Sequence, residues 1–216
     1  MSDAVGDYPV NLRLDGRRVL LVGAGNVAAR KLGDLLASGA QVTVVAPLVR
    51  EAVRAMADAA PDQVTVIERA FVDADLDGVW LATTTTDDPA VNAAVRAAGD
   101  ARQVFVNSAD DPANCTVTLP ARVRQGDLLV AISTGGRAPA VASGLRRQLQ
   151  DELGPEWATL VELIAGARDR LHAEGRSTEA VDWRPMLGSG TLEAIREGRL
   201  AEVKERLEAC LSSSSD

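Results

Sequence analysis

The chain has 216 residues, 46% of them hydrophobic and 25% charged, which excludes wholesale disorder and suits one sizeable domain with an appendage or two small ones. Its 23 basic residues against 31 acids give a net charge of −8, and aromatics are only 3%, so neither a basic nucleic-acid-binding face nor a base-stacking platform is expected. Two cysteines, Cys115 and Cys210, are too few for a disulfide framework or a four-thiolate zinc site. The opening MSDAVGDYPV lacks the basic and apolar regions of a signal peptide, and no apolar run reaches the length of a membrane span. A reduced, cytoplasmic protein with no membrane and no nucleic-acid partner is therefore expected.

Short β-branched runs alternate with alanine-rich stretches through the first half. Strands are predicted over residues 18–23, 41–46, 64–68, 79–83 and 104–107. Between them lie VAARKLGDLLASG, REAVRAMADAA and DPAVNAAVRAAGD; in the first, Val27, Leu32, Leu35 and Leu36 return at helical spacing. Strands that alternate with such helices predict βαβ units and a parallel sheet, and their nearly continuous apolar character predicts helices on both faces. Residues 1–112 are thus read as a Rossmann-type domain in an α/β chain.

The pattern changes after about residue 112. Cys115, Val117 and Leu119 alternate with Thr116 and Thr118, the period of a half-buried strand, then PARVRQGD reads as a connection and LLVAIS as a second strand. Two strands without an intervening helix suggest an antiparallel pair, able to dimerise with its copy, over a mixed region 113–150. From Pro139 the sequence turns helical, with a stop and restart at Gly154-Pro155. In EWATLVELIAGARDRL, Trp157, Leu160, Val161, Ile164 and Leu171 form one stripe of a small helical domain, 151–216. A loop over GRSTEAVDWRPMLGSG leads to a last helical stretch, TLEAIREGRLAEVKERLEACL, and a frayed SSSSD tail. The single histidine, His172, ends a charged helix and reads as solvated. Proton chemistry therefore falls to a carboxylate, an amine or a bound cofactor.

Three stretches carry candidate chemistry. VLLVGAGNVAARK sets Gly23, Gly25 and Ala28 in a G-x-G-x-x-A arrangement between a strand and a helix. Gly23 permits the tight turn, Gly25 lets a pyrophosphate approach the backbone, and Ala28 lets helix and strand pack closely. The helix N-terminus then stabilises phosphate charge. A dinucleotide site usually has an acid about 20 positions on, for the ribose 2′-hydroxyl. Here that place reads Val45, Ala46 and Pro47, with Glu51 too far on. Arg50 suits either a 2′-phosphate or plain solvent, so the pattern leaves the choice between NAD and NADP open.

LATTTTDDPAVN puts Thr83–Thr86, with Thr83 and Thr84 foremost, at the carboxyl edge of the fourth strand, where hydroxyls and small side chains can line a nicotinamide pocket. Capping of the next helix by Thr86, Asp87 or Asp88, with Pro89 in its first turn, explains the aspartates. VFVNSADDPANC brings Asn107, Asp110 and Asp111 to the same edge. Adjacent carboxylates in a cleft oppose one another's charge, which suits one to act as a base, and a plain Asp-Pro turn accounts for the spacing equally well.

Taken together, YPVNL, VGAGNVAARK, VTVVAP, ATTTTDDPAVN, VNSADDPANCTVTLPA and VAISTGGRAPAVASGLRRQL resemble the precorrin-2 dehydrogenase module of siroheme biosynthesis, over roughly residues 8–155. The middle glycine often found in the turn is Ala24 here. The resemblance implies NAD-dependent dehydrogenation of precorrin-2 to sirohydrochlorin by a homodimer with a Rossmann domain, a central dimerisation region and a small helical domain. It places the catalytic aspartate at Asp110, cofactor contacts at Asn26, Val27, Pro47 and Leu48, and a loop beside the tetrapyrrole cleft at Ser133, Gly135 and Gly136.

The chain's own chemistry is consistent with this. A dehydrogenation needs a two-electron acceptor, supplied by a nicotinamide, and a base for the departing proton. A carboxylate-rich tetrapyrrole needs a local positive patch on so acidic a protein, and Arg122, Arg124, Arg137, Arg146 and Arg147 cluster in sequence around the ISTGG loop. No resident metal is expected. Some relatives also insert iron into sirohydrochlorin, and a base at Asp110 would serve both reactions; a fused methyltransferase domain is not expected in this length. A different class of reading is a non-catalytic NAD-sensing dimer, which needs the glycine turn but neither the Asn107–Asp110 nor the Ser133–Gly136 constellation.

Overall fold

A computed structural model describes residues 6–212, so the Ser213-to-Asp216 end of the expected frayed tail and the first five residues lie outside it. The chain divides into two compact units, Met1–Leu119 and Pro120–Asp216.

In the first unit the five β-branched runs are the five parallel strands β1 (Arg18–Val22), β2 (Gln41–Val45), β3 (Val64–Ile67), β4 (Leu81–Thr84) and β5 (Phe105–Ser108), in the order β3-β2-β1-β4-β5. Helices α1 (Asn26–Leu36), α2 (Glu51–Ala59) and α3 (Pro89–Arg102) follow β1, β2 and β4. Successive side chains of a strand face opposite ways. Val19 and Leu21 accordingly pack with Ala28, Leu32 and Leu35 of α1 and Val53 of α2, whereas Leu20 and Val22 pack with Val95 and Ala98 of α3. The sheet is thus covered on both faces, the Rossmann-type architecture expected. The order reverses between β1 and β4, and the crevice beyond the carboxyl ends of those strands is where such sheets take ligands. Val45, Val22, Thr84 and Ser108 stand in one row along that edge.

The residues after β5 depart from expectation. Positions 115–119 form no strand: a 3-10 turn (Pro112–Asn114) leads into a segment laid along β5, where the amides of Thr116 and Val117 both donate to Val106 O (2.8 and 3.1 Å) and Val106 N donates to the Thr116 hydroxyl (2.7 Å). These bonds to β5 keep 113–119 with the first unit.

In the second unit PARVRQGD, expected as a connection, supplies a strand. β6 (Ala121–Gln125) pairs antiparallel with β7 (Leu128–Ile132) through a two-residue turn, Gly126-Asp127, in which only Gly126 has positive φ. Val123 is buried, while Arg122 and Arg124 stand on the opposite face. Helices α4 (Pro139–Glu152) and α5 (Glu156–Ala173) meet at Gly154-Pro155, as expected. The buried seam of α5 is Leu160, Ala167 and Leu171, with Trp157, Leu163 and Ile164 beside it and Val161 outside. The final stretch is two helices, α6 (Ser189–Arg196) and α7 (Leu200–Ser212), because Gly198 at φ +74° breaks it. The preceding loop is ordered by a 3-10 turn (Arg184–Leu187) whose Met186 is buried with Val181. His172 is exposed in the last turn of α5.

Candidate functional site

Gly23 opens the turn after β1 with φ +100°, and its amide donates to Val45 O (2.9 Å). A Cβ here would lie 2.7 Å from Thr85 Oγ1, so backbone and packing both demand glycine. Ala24 turns inward to the core, which is why a side chain is tolerated between the two glycines. Gly25 is the extended N-cap of α1, no side chain caps that end, and nothing lies within 4 Å of where its Cβ would be. The helix N-terminus is thus uncapped by any side chain, with open space beside Gly25, an arrangement suited to a pyrophosphate. Ala28 is fully buried against the core, Val27 is half-buried and Asn26 exposed.

Beyond β2, Val45 and Ala46 are buried, and Pro47 and Leu48 are exposed, Leu48 by 85%. Arg50 N donates to Ala24 O (3.1 Å), fastening this loop to the glycine turn, and the Arg50 guanidinium lies 3.5 Å from Asn26 Oδ1. Arg54 is engaged by both oxygens of Glu68 (2.8 and 2.6 Å), and this guanidinium holds the Glu68 carboxyl below the usual range.

Thr83 and Thr84 are buried between strands. The Thr84 and Ser108 hydroxyls share a 2.7 Å hydrogen bond, and Thr83 Oγ1 donates to Asn107 Oδ1 (3.5 Å). Asn107 also accepts from Lys31 Nζ of α1 (3.5 Å) and donates to Val117 O (3.2 Å). Thr85, the third of the four threonines, is the one that meets Gly23, with its amide donating to Val22 O (2.8 Å). Asp88 caps α3, accepting from the amides of Ala90 (2.9 Å) and Val91 (3.4 Å), and the Thr86 hydroxyl accepts from Asp88 N (3.0 Å).

The two adjacent acids are unlike. Asp111 Oδ2 accepts from Asn114 Nδ2 (2.7 Å) and from Asn92 Nδ2 (3.2 Å). Asp110 is exposed, sits at φ +59°, and its carboxylate has no partner among the described residues. Asn92, which sequence reasoning missed, is 4% exposed on α3; its Nδ2 also donates to Thr86 O (3.4 Å), and its Oδ1 is the one buried side-chain atom without a partner among the described residues. Its signal was present: Asn92, Val95, Ala98 and Gly99 share the buried face of α3, and a polar residue in such a stripe marks a special contact. Cys115 is tied to Ser108 on both sides, its Sγ accepting from Ser108 N (3.1 Å) and donating to Ser108 O (3.3 Å).

The carboxyl edge of the first unit therefore gathers Gly23, Gly25, Asn26, Val27, Ala28, Pro47, Leu48, Thr83, Thr84, Asn107 and Asp110. The remaining expected residues belong to the second unit. There Ser133 Oγ accepts from Gly135 N (3.1 Å), Thr134 Oγ1 accepts from Ala138 N (3.2 Å), and Gly135 and Gly136 have φ +58° and +73°. Arg137 is exposed just before α4. Arg122 and Arg124 extend from one face of β6; Arg146 is half-buried and Arg147 exposed on α4. Among the described residues no group of three or more His, Cys, Asp or Glu side chains is arranged to hold a metal ion, and no helix is long and apolar enough to cross a membrane.

Residues 10–121 match the model of an NAD(P)-binding family. The chain is 36% identical over 210 residues to the siroheme synthase of Xylella fastidiosa (strain M12), an alignment covering 96% of this chain and 44% of that protein. It is 41% identical over 168 residues to the siroheme synthase of Pseudomonas entomophila (strain L48), covering 77% of this chain and 36% of that one. The chain thus spans less than half the length of these curated relatives. Among solved structures it is similar to SirC, a precorrin-2 dehydrogenase, with a TM-score of 0.71 and 28% identity over 92% of this chain and 100% of that one.

Proposed function

Since the chain belongs to an NAD(P)-binding family and is similar to siroheme synthases and to a precorrin-2 dehydrogenase, we propose that it oxidises precorrin-2 to sirohydrochlorin with NAD+. The observation that carries this reading is the exposed carboxylate of Asp110, without a partner among the described residues, on the same sheet edge as the glycine turn. NAD+, when bound, supplies the acceptor for the electron pair. The open space beside Gly25 and the N-terminus of α1 would hold its pyrophosphate, Asn26, Val27, Pro47 and Leu48 would be further cofactor contacts, and Thr83 and Thr84 would back the nicotinamide end. Asp110 takes the proton. One hydrogen leaves the macrocycle with its electron pair and the other as that proton, so two electrons are accounted for and NADH is the second product.

Within the second unit, substrate carboxylates suit Arg137, Arg122 and Arg124, whose planar forks match carboxylate geometry, with Ser133, Gly135 and Gly136 as further candidate contacts; within the first unit, Asn107 is the candidate. The two strands of the β6–β7 hairpin each keep one unpaired edge, which suits pairing with a second copy; sedimentation of the purified protein as a dimer checks this.

The test is incubation with NAD+ and enzymatically made precorrin-2 while following the absorption change to an isobacteriochlorin. Asp110→Asn is expected to bind NAD+ normally and lose about 100-fold or more in turnover. NAD+ binding without any conversion would favour the sensing reading. Iron insertion is tested separately with sirohydrochlorin and ferrous iron in the absence of NAD+.

A further inference from the structure

We infer that Asp111, held by Asn92 and Asn114, is a positioning residue that fixes the backbone of Asp110 at the carboxyl edge of the sheet; the inference rests on Asp110 being the base. A left-handed backbone at a residue with a Cβ is uncommon and persists where its surroundings enforce it. Both flanks of Asp110 are fixed. On one side Ala109 N donates to Thr84 O (2.9 Å), tying the turn to β4. On the other, the backbone carbonyl of Asp111 accepts from Asn114 N (3.1 Å), and its side chain accepts the two amides.

On either side of this φ of +59° the two carboxylates differ, Asp111 bonding to Asn92 of α3 while Asp110 is exposed. Asn92 extends the link. Its single Nδ2 joins Thr86 O, in the turn that begins with Thr85 against Gly23, to Asp111 Oδ2. One amide thus sets the distance between the glycine turn and the loop bearing the base.

Both amides meet the same oxygen, Oδ2. Asp111→Asn can therefore present its amide oxygen there and keep both bonds, whereas Asp111→Ala cannot. The experiment measures kcat and KM for precorrin-2, NAD+ affinity by fluorescence titration, and melting temperature for D111A, D111N, Asn92→Ala and D110N. D111A and N92A are expected to lose at least about 10-fold in kcat with NAD+ affinity and KM within about 2-fold of the parent, as a misplaced catalytic group does. D111N is expected to stay within about 3-fold of the parent, its hydrogen bonds intact. If D111N falls as far as D111A, the charge itself is used and Asp111 is not merely positioning. If D111A and N92A turn over normally while D110N does not, the positioning role is wrong and the base assignment stands. Full turnover in D110N removes the base assignment, and with it the group that Asp111 would place.

Discussion

Glycine at position 23 is demanded twice, by a φ of +100° and by a hydroxyl 2.7 Å from the would-be Cβ, whereas glycine at 25 is demanded by neither. The two positions therefore separate folding from binding. Gly23→Ala is expected to destabilise the protein by about 1–3 kcal/mol through overpacking and backbone strain, read by denaturant unfolding. Gly25→Val is expected to melt close to the parent while weakening NAD+ about 10-fold or more, read by titration, because its side chain occupies the space over the amides of α1. Both glycines were legible in the sequence, since turn, strand and helix are contiguous there. The roles of Thr85 and Asn92 were not: each depends on a partner far along the chain, Gly23 for one and Asp111 for the other. The same holds for the two aspartates. Sequence could present them as a pair, but only the left-handed backbone at Asp110 shows that one is fastened and the other open to solvent.

Strands of the parallel sheet were readable as elements because burial on both faces leaves a run of β-branched residues and little else. The stretch after β5 misled for the opposite reason. The alternation of Cys115, Val117 and Leu119 comes from a segment lying on β5 without a ladder of its own, while the true strand β6 carries Arg122 and Arg124 on its outward face and so looks like a polar linker. The start of α5 shows what sequence hides in the helical part. Glu156 is 4% exposed, accepts from Arg196 Nε of α6 (2.9 Å), and the Arg196 guanidinium holds its carboxyl below the usual range, aided by the amides of Glu156 and Gly154 and opposed by burial. A carboxyl whose folded pKa is depressed adds stability that is complete above its unfolded pKa and is lost as pH falls through the folded one. The melting temperature is therefore expected to drop on acidification from roughly pH 5 to pH 3, and Glu156→Gln to melt lower at pH 7 but to change less across that window.

At the scale of the whole molecule, a net charge of −8 opposes the approach of an anionic tetrapyrrole, so under the proposed function the attraction is assigned to local cations, Arg122, Arg124 and Arg137 of the second unit first among them. Salt screens both forces, and the shorter-range contacts dominate once substrate is bound. The KM for precorrin-2 is therefore expected to rise at least about 3-fold between low and roughly 0.3 M salt, and Arg137→Ala to blunt that rise. A KM that falls with added salt would mean that overall repulsion governs instead. The amide of Asn92 bears on stability as well as on turnover. Asn92→Leu removes the donor shared by Thr86 O and Asp111 Oδ2 and is expected to lower the melting temperature while slowing turnover. Heat resistance and catalysis thus draw on the same codon, and a laboratory population selected for thermotolerance alone would keep asparagine here even where its activity goes unused.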